Sequence, residues 1–314
     1  MNHSIWKYIC KRIGIALITL FVILVVLFTL TKLLPGSPIN NEKLTDAQRA
    51  VIEAKYGLDK PIIEQFITYI GNMLKLDFGI SYNMYKDMEV SDIVFKASSN
   101  SFLLGIGACV LGTLVGMSLG VFAAIKKNTI WDTISTIISV IGVSVPSFVF
   151  ALCLLMILGV KLHWLPTIYN SNQPIYSSIL PILALSVGVI ANVARFTRTE
   201  MIEVLNSEYI MLARAKGIDQ KTLIVKHGLR NALIPVITIL GPIIVNLMTG
   251  TMVVEQICGV PGLGKLLINS ILNNDVNITL ACSFLYATLY IIMILCIDIS
   301  YGMIDPRIRL GRGK

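Results

Sequence analysis

The sequence predicts an all-α membrane protein: six transmembrane helices, both termini in the cytoplasm, and a helical extracytoplasmic insertion after the first span. Three observations predict it. Of 314 residues, 55% are hydrophobic and 14% charged, against about 25% charged in a soluble domain. The apolar residues gather in six long uncharged blocks. The Lys and Arg of the short loops fall almost entirely on one side. This excludes an ordinary soluble enzyme, and it excludes disorder, which needs low hydrophobicity and high charge.

Charged residues set the limits of each span. Arg12 to Lys32 encloses 19 uncharged residues, Lys96 to Lys126 encloses 29, and Asp132 to Lys161 encloses 28. Between Lys161 and Arg195 the dense apolar part is 179–194; Arg230 to Glu255 encloses 24 and Asp275 to Asp298 encloses 22. A spanning helix needs about 20 apolar residues, so each block is one span. The first is read as a retained helix, because 19 residues exceed the roughly 7–15 of a signal-peptide core and Leu33-Leu34-Pro35-Gly36 reads as a helix stop.

Orientation follows from the basic residues. With the N-terminus inside, sixteen Lys and Arg lie in cytoplasmic segments, while the opposite short loops hold Lys161 and Lys265, with Lys32 closing the first span. This is the positive-inside pattern. It also accounts for the net charge of +8 without a nucleic-acid partner. The six cysteines have no C-x-x-C spacing and the three histidines are far apart, so neither a disulfide framework nor a metal site is indicated.

The chain therefore divides into 1–34 (cytoplasmic tail and first span), 35–100 (extracytoplasmic helical lid or scoop) and 101–314 (five-helix core). Segment 35–100 carries nine of the eighteen acidic residues. Thr45-x-x-Gln48 resembles a capping box with Gly57 as a stop. Pro61 opens a second helix with Ile62, Ile63, Phe66, Ile67, Ile70 and Leu74 on one face. A plain linker is the alternative for this segment.

The cytoplasmic loop 195–231 has seven basic and four acidic residues. Ser207 caps a helix from Glu208 that Gly217 ends, and Asp219 caps a second running to about Arg230. Two short, charged helices joined by a Gly turn read as a solvated docking element. The second span carries Ala108, Gly112, Gly116, Gly120 and Ala124 at four-residue spacing, a stripe that lets two helix backbones approach closely. The fifth span contains Pro235, Gly241, Pro242, Asn246, Thr249 and Gly250. Prolines free backbone carbonyls, and polar groups at membrane depth tend to face a bundle interior or an aqueous path. This span is the candidate lining of a translocation pathway, with a merely kinked buried helix as the alternative. Asp298, near the cytoplasmic end of the last span, has Arg195 and Arg198 as partners by matched depth, since an unpaired carboxylate there is costly.

Gly259-Val-Pro-Gly-Leu-Gly264-Lys265-Leu266 imitates a phosphate-binding loop, but Leu266 stands where Ser or Thr would reach Mg²⁺ and no strand precedes it. With Pro261 and Gly262, Gly259 and Gly264 read instead as a turn at the outer mouth. No G-x-S-x-G, H-E-x-x-H or intramembrane aspartate pair occurs, so no hydrolase constellation stands out.

Read in order along the chain, a series of motifs resembles the B-type permease subunit of bacterial dipeptide and oligopeptide ABC importers, whose relatives also carry nickel and glutathione. They are Tyr8-Ile-Cys-Lys-Arg12, Leu33-Leu-Pro-Gly-Ser-Pro38, Leu76-Asp-Phe-Gly-Ile-Ser-Tyr82, Val145-Pro-Ser-Phe148, Trp164-Leu-Pro166, Ala213-Arg-Ala-Lys-Gly217, His227-Gly-Leu-Arg-Asn-Ala-Leu-Ile-Pro235, Pro261-Gly-Leu-Gly264 and Asp305-Pro-Arg-Ile-Arg309. The resemblance implies a type I importer permease fold. It implies ATPase coupling through Glu208, Tyr209, Leu212, Ala213, Arg214, Ala215, Lys216, Gly217, His227, Arg230 and Asn231, with small Ala213 and Ala215 permitting close approach. Met211 stands where the general coupling motif begins with Glu. The implied partners are a second, homologous permease, two ATPase subunits carrying ATP and Mg, an extracytoplasmic substrate-binding protein or lipoprotein, a peptide substrate and the lipid bilayer of the bacterial cytoplasmic membrane. No cofactor is expected on this chain and no catalysis by it. A lone secondary transporter or channel is the rival reading; no intramembrane ion site supports it, and an elaborate docking loop opposes it.

Overall fold

A computed structural model describes residues 2–33, 59–81 and 83–304. The expected capping box at Thr45 and stop at Gly57 lie outside them. Ten helices of eight residues or more are described: α1 Asn2–Leu33, α2 Ile62–Leu74, α3 Val90–Ile125, α4 Ile130–Ser144, α5 Ser147–Leu154, α6 Pro174–Leu205, α7 Glu208–Ala215, α8 Arg230–Cys258, α9 Leu263–Leu272 and α10 Val276–Ile304. Four are long and apolar enough to cross a membrane, or up to seven spans if each bent helix pair counts as one.

The third expected span departs from a single rod. Its two arms, Ile130–Ser144 and Ser147–Lys161, are bent by 104°. Pro146 offers no N–H and forces the preceding residue out of the helical region; Val145 sits at φ −91°, ψ 127°. α5 then ends in a π-helical turn, Leu155–Lys161.

Two compact units form. The first comprises 1–99 and 262–295, the second 100–261 and 296–314. In the first, Leu24 and Leu27 of α1, Met73 of α2, Val90 and Val94 of α3, Leu263 and Leu266 of α9, and Ile278 and Phe284 of α10 share one core. Its polar anchor is Asp275, fully buried ahead of α10. Its Oδ2 accepts from Ser81 Oγ at 2.6 Å and from the amides of Asn83 and Met84 at 3.1 and 3.0 Å. Asn277 Nδ2 adds a bond to the Ile80 carbonyl. This fixes the segment ahead of α3 to the turn between α9 and α10.

In the second unit α6 is the central element, with Leu180, Ala184, Leu185, Val189, Val193 and Ala194 all buried. The small-residue stripe of α3 lies against it as expected. A Cβ on Gly116 would fall 2.8 Å from the Ile190 carbonyl oxygen, and one on Gly120 2.5 Å from that of Ala194. From α4, Gly142 does the same toward Ala191 and Val187. Only residues without a side chain let these backbones come so near.

Candidate coupling and translocation site

The C-terminal end of α6 leads straight into the segment expected to dock. Asn206 donates its amide to the Glu203 carbonyl, and Ser207 donates both N and Oγ to that of Val204. α7 starts at Glu208 as expected, although the Ser207 hydroxyl is spent on Val204 and makes no side-chain cap. Gly217 ends it in the left-handed region at φ +79°, which glycine enters without steric cost. The amide of Ile218 then closes back on Ala213 O at 3.3 Å.

α7 has two faces. Ile210 and Ala213 are buried against Leu223, with Val204 and Ile218 beside them. Glu208, Tyr209, Met211, Leu212, Arg214, Ala215, Lys216 and Gly217 are exposed. Of the two alanines expected at a partner surface, Ala215 is therefore available, while Ala213 uses its small size to seat α7 on its own chain.

The second loop helix does not stop at Arg230. Asp219 caps it as expected, its Oδ2 accepting from Thr222 N at 3.0 Å. That hydrogen bond holds the Asp219 carboxyl below the ordinary carboxylate range. The helix runs through a π-helical stretch, Leu223–Leu229, into α8. His227 lies half-buried in that stretch. Asn231 Nδ2 bridges Tyr209 Oη at 2.9 Å and the His227 carbonyl at 3.0 Å, tying α7 to the start of α8. Arg230 and Asn231 are exposed.

α8 retains Pro235 and Pro242 within one helix. The arms Gln220–Leu233 and Pro235–Met248 bend by 49°. Pro242 and Asn246 share an exposed face, whereas Gly241 is buried where a Cβ would run into Ile297 of α10. Gly241 thus serves helix contact, not an open path. Pro235 is half-buried. The side chains of Thr249 and Gly250 lie outside the described set.

At the other end of α8, Gly259 terminates the helix at φ +72° with Val260 N on Glu255 O. Within the second unit this turn is stapled at several points. Asn100 Nδ2 donates to Pro261 O at 2.9 Å, Tyr169 N to Cys258 O at 3.1 Å, and Ser101 Oγ to the fully buried Glu255 Oε1 at 2.6 Å. Gly262 precedes α9 and Gly264 is buried in its first turn, so the phosphate-loop imitation is a turn over 259–262 followed by the start of a helix.

The charge pair expected of Arg198 is made differently. Its Nη2 donates to Asp132 Oδ2 at 2.8 Å and its Nε to Asp132 Oδ1. Asp132 also accepts the amide of Asn128, so one carboxylate holds the α3–α4 turn and the cytoplasmic end of α6. Arg195 is exposed, with its guanidinium over the Phe196 ring at 5.9 Å. Asp298 is half-buried in α10. In sequence Asp132 marks only the edge of an uncharged block. The usable signal was depth, because it stands at the same membrane edge as Arg198. Among the described residues no cluster of three or more His, Cys, Asp or Glu could hold a metal ion.

Residues 116–310 match the family described as binding-protein-dependent transport system inner membrane component, and residues 5–85 match the N-terminal region of such membrane components. The dipeptide transport system permease protein of Lactococcus lactis is 41% identical over 305 residues, covering 97% of this chain and 99% of the relative. The oligopeptide transport system permease proteins of Haemophilus influenzae and Escherichia coli K12 are each 42% identical over 96% of this chain and 99% of theirs. In fold, the chain is similar to an inward-facing structure of the MetNI methionine ABC transporter, with TM-score 0.52, 16% identity, and coverage of 69% of this chain and 95% of that one.

Proposed function

Since this chain belongs to the binding-protein-dependent transport system inner membrane component family, we propose that it is the membrane subunit through which a bacterial ATP-driven importer passes di- and oligopeptides across the cytoplasmic membrane. Near-full-length identity to dipeptide and oligopeptide permeases is the observation that carries the substrate class. In this reading α1, α3, the bent α4–α5 pair, α6, α8 and α10 are six spans, N-terminus inside, and α9 is part of the outer mouth.

The exposed face of α7 docks on an ATPase subunit. A second permease completes the pathway, and an external binding protein delivers peptide to the face bearing the insertion and the Gly259–Gly264 turn. ATP and Mg belong to the ATPase pair, and no chemistry is performed by this chain. ATP-driven closure of the ATPases favours the state in which α7 is displaced. The transporter responds only as far as its two states differ in that contact.

The test is co-purification from the native operon, comparing wild type with Gly217→Arg, followed by uptake of labelled dipeptide, oligopeptide and Ni²⁺. Both permeases and the ATPases are expected with wild type, the ATPase is lost in the variant, and peptide uptake depends on ATP. A chain that purifies alone and transports in liposomes without ATP overturns the proposal. ATP-dependent uptake of Ni²⁺ alone overturns the substrate class.

A further inference from the structure

The helix α2 is placed by its contacts at a depth that an external lid would not have. Phe66 packs on Phe21 and Phe28 of α1, with ring centroids 6.2 and 5.1 Å apart, and Tyr69 packs on Phe28 at 5.5 Å. The apolar run of α1 is Ile9–Leu30. At 1.5 Å per residue, Phe21 lies about 13 Å inside the Leu30 end and Phe28 about 3 Å inside it. Phe66, touching both, sits roughly 8 Å inside the apolar zone.

The sequence of α2 matches that position. Successive residues turn by 100°. Tyr69, Met73, Phe66 and Ile70 form the side turned to α1 and the core of the first unit. Glu64, Thr68 and Asn72 form the opposite, polar side, and all three are exposed. Between these sides runs a third stripe, Ile63, Ile67 and Leu74, exposed by 73%, 64% and 63%. No water-facing helix gains from such a stripe, since each large apolar side chain left in water forgoes about 1.5–3 kcal/mol of burial. The helix that α2 packs on is apolar outward too: Leu17, Ile18, Val22 and Val26 of α1 are exposed. Lys60 and Lys75 bracket the helix at its two ends, where long basic side chains reach the headgroup layer. With 13 residues the helix is too short to span, and amphipathic helices lying in the interface bury their apolar face about 5–10 Å deep.

We propose that α2 lies within the outer leaflet of the membrane, the Ile63–Ile67–Leu74 stripe in contact with lipid acyl chains. The depth follows from the register against α1 alone. The name of the leaflet rests on the N-inside orientation given above.

Spin labels test it. Cysteine replaces Ile63, Ile67, Leu74, Glu64 and Thr68 one at a time, in a chain whose six cysteines are serine or alanine. The whole complex is reconstituted in phosphatidylcholine–phosphatidylglycerol vesicles without binding protein. Collision rates with oxygen and with a water-soluble nickel chelate are compared. The oxygen-to-nickel ratio at 63, 67 and 74 is expected to exceed that at 64 and 68, as for a helix seated in the interface with one face in the acyl chains. Equal ratios at all five positions mean a water-exposed helix and overturn the proposal. Exclusion of both probes from 63, 67 and 74 means a protein covers the stripe, and overturns it too. Chelate confined to one side of the vesicle assigns the leaflet separately, so an error of orientation is distinguished from an error of depth. Should the cysteine-free chain not fold, Ile67→Trp in the native chain serves. Its added emission over the three native tryptophans is expected to be quenched by brominated acyl chains. Quenching by aqueous iodide instead refutes the placement.

Discussion

Gly120→Ala is a one-carbon probe of the contact between α3 and α6. The added Cβ would stand 2.5 Å from the Ala194 carbonyl oxygen, 2.6 Å from Thr197 Cβ and 3.0 Å from the Arg198 amide nitrogen. These separations are about 1 Å short of the 3.5–4 Å optimum for non-bonded atoms. Two of the three obstacles are backbone, so no rotamer change relieves them. The helices have to move apart along a seam that also carries Gly112 and Gly116. Overpacking of this kind costs about 1–3 kcal/mol, against a gain in helix propensity of up to about 1 kcal/mol for Ala over Gly. Gly105, on the same helix, has nothing within 4 Å of its would-be Cβ, so Gly105→Ala keeps the propensity gain and meets no clash. Gly120→Ala is therefore expected to lie about 1–3 kcal/mol below Gly105→Ala, near 1.5–4.5 °C in melting temperature for a chain of this size. Thermal unfolding of the purified complex, followed by fluorescence-detected size exclusion, reads this directly. Equal melting temperatures for the two alanine variants would refute the close approach of α3 and α6.

Other outcomes follow from the buried carboxylates and the loop cap. Asp132→Ala and Arg198→Ala are each expected to cost about 2–3 kcal/mol, since a half-buried charge loses its partner, and the double variant is expected to cost less than their sum; a thermal-shift double-mutant cycle measures it, and strict additivity would contradict the pair. Asp275→Ala leaves the Ser81 hydroxyl and the Asn83 and Met84 amides without their acceptor; at about 1–3 kcal/mol for each unsatisfied group, limited proteolysis is expected to open the 81–89 segment first. The carboxyl of Asp219 is held below its ordinary value by the Thr222 amide, so its cap is intact at neutral pH and is lost as pH falls through the depressed value. The protection of the Thr222 amide, the ratio of its intrinsic exchange rate to the observed one at each pH, is expected to fall on acidification in wild type and to lack that pH step in Asp219→Asn.

Much of this was legible because it is local. Charged residues mark the limits of spans, and the Gly stripe of α3, the helix opened by Pro61 and the helix between Ser207 and Gly217 all follow from spacing and backbone preference. The break at Pro146 was written in the sequence too. It sat inside 28 uncharged residues, and prolines are tolerated in membrane helices, so the length of the block concealed it. What sequence could not show are pairings between distant residues. Asp132 meets Arg198 across 66 positions, Glu255 meets Ser101 across 154 and Asp275 meets Ser81 across 194. The same holds for faces. Gly241 and Pro242 are neighbours in sequence, yet one is buried near Ile297 and the other exposed; only the neighbouring helix decides which is which. Ala213 shows the same, its small size fitting a contact within the chain that spacing alone does not reveal.

Under the proposed docking of α7, the second unit holds the elements through which its displacement would pass. α6 has 32 residues, about 48 Å of continuous helix. Two residues join it to α7, and both are hydrogen-bonded back onto its last turn, so displacement of α7 reaches α6 with little slack. Along its length α6 meets glycines of α3 and α4. Larger side chains flank these close approaches, Leu180, Leu185, Val189 and Val193 of α6 sharing a core with Leu104 of α3. Asp132 then matters for what travels with α6. Its bond to Arg198 fixes the start of α4 to the cytoplasmic end of the rod, so α4 follows α6 instead of resisting it. The break at Val145–Pro146 lies at the far end of α4, and beyond it α5 packs on α6 as well, Ala151 sharing a core with Leu180, Ala184 and Leu185. If α7 docks as proposed, a displaced α7 would pull on one continuous helix, clamped to α4 by the Asp132–Arg198 pair.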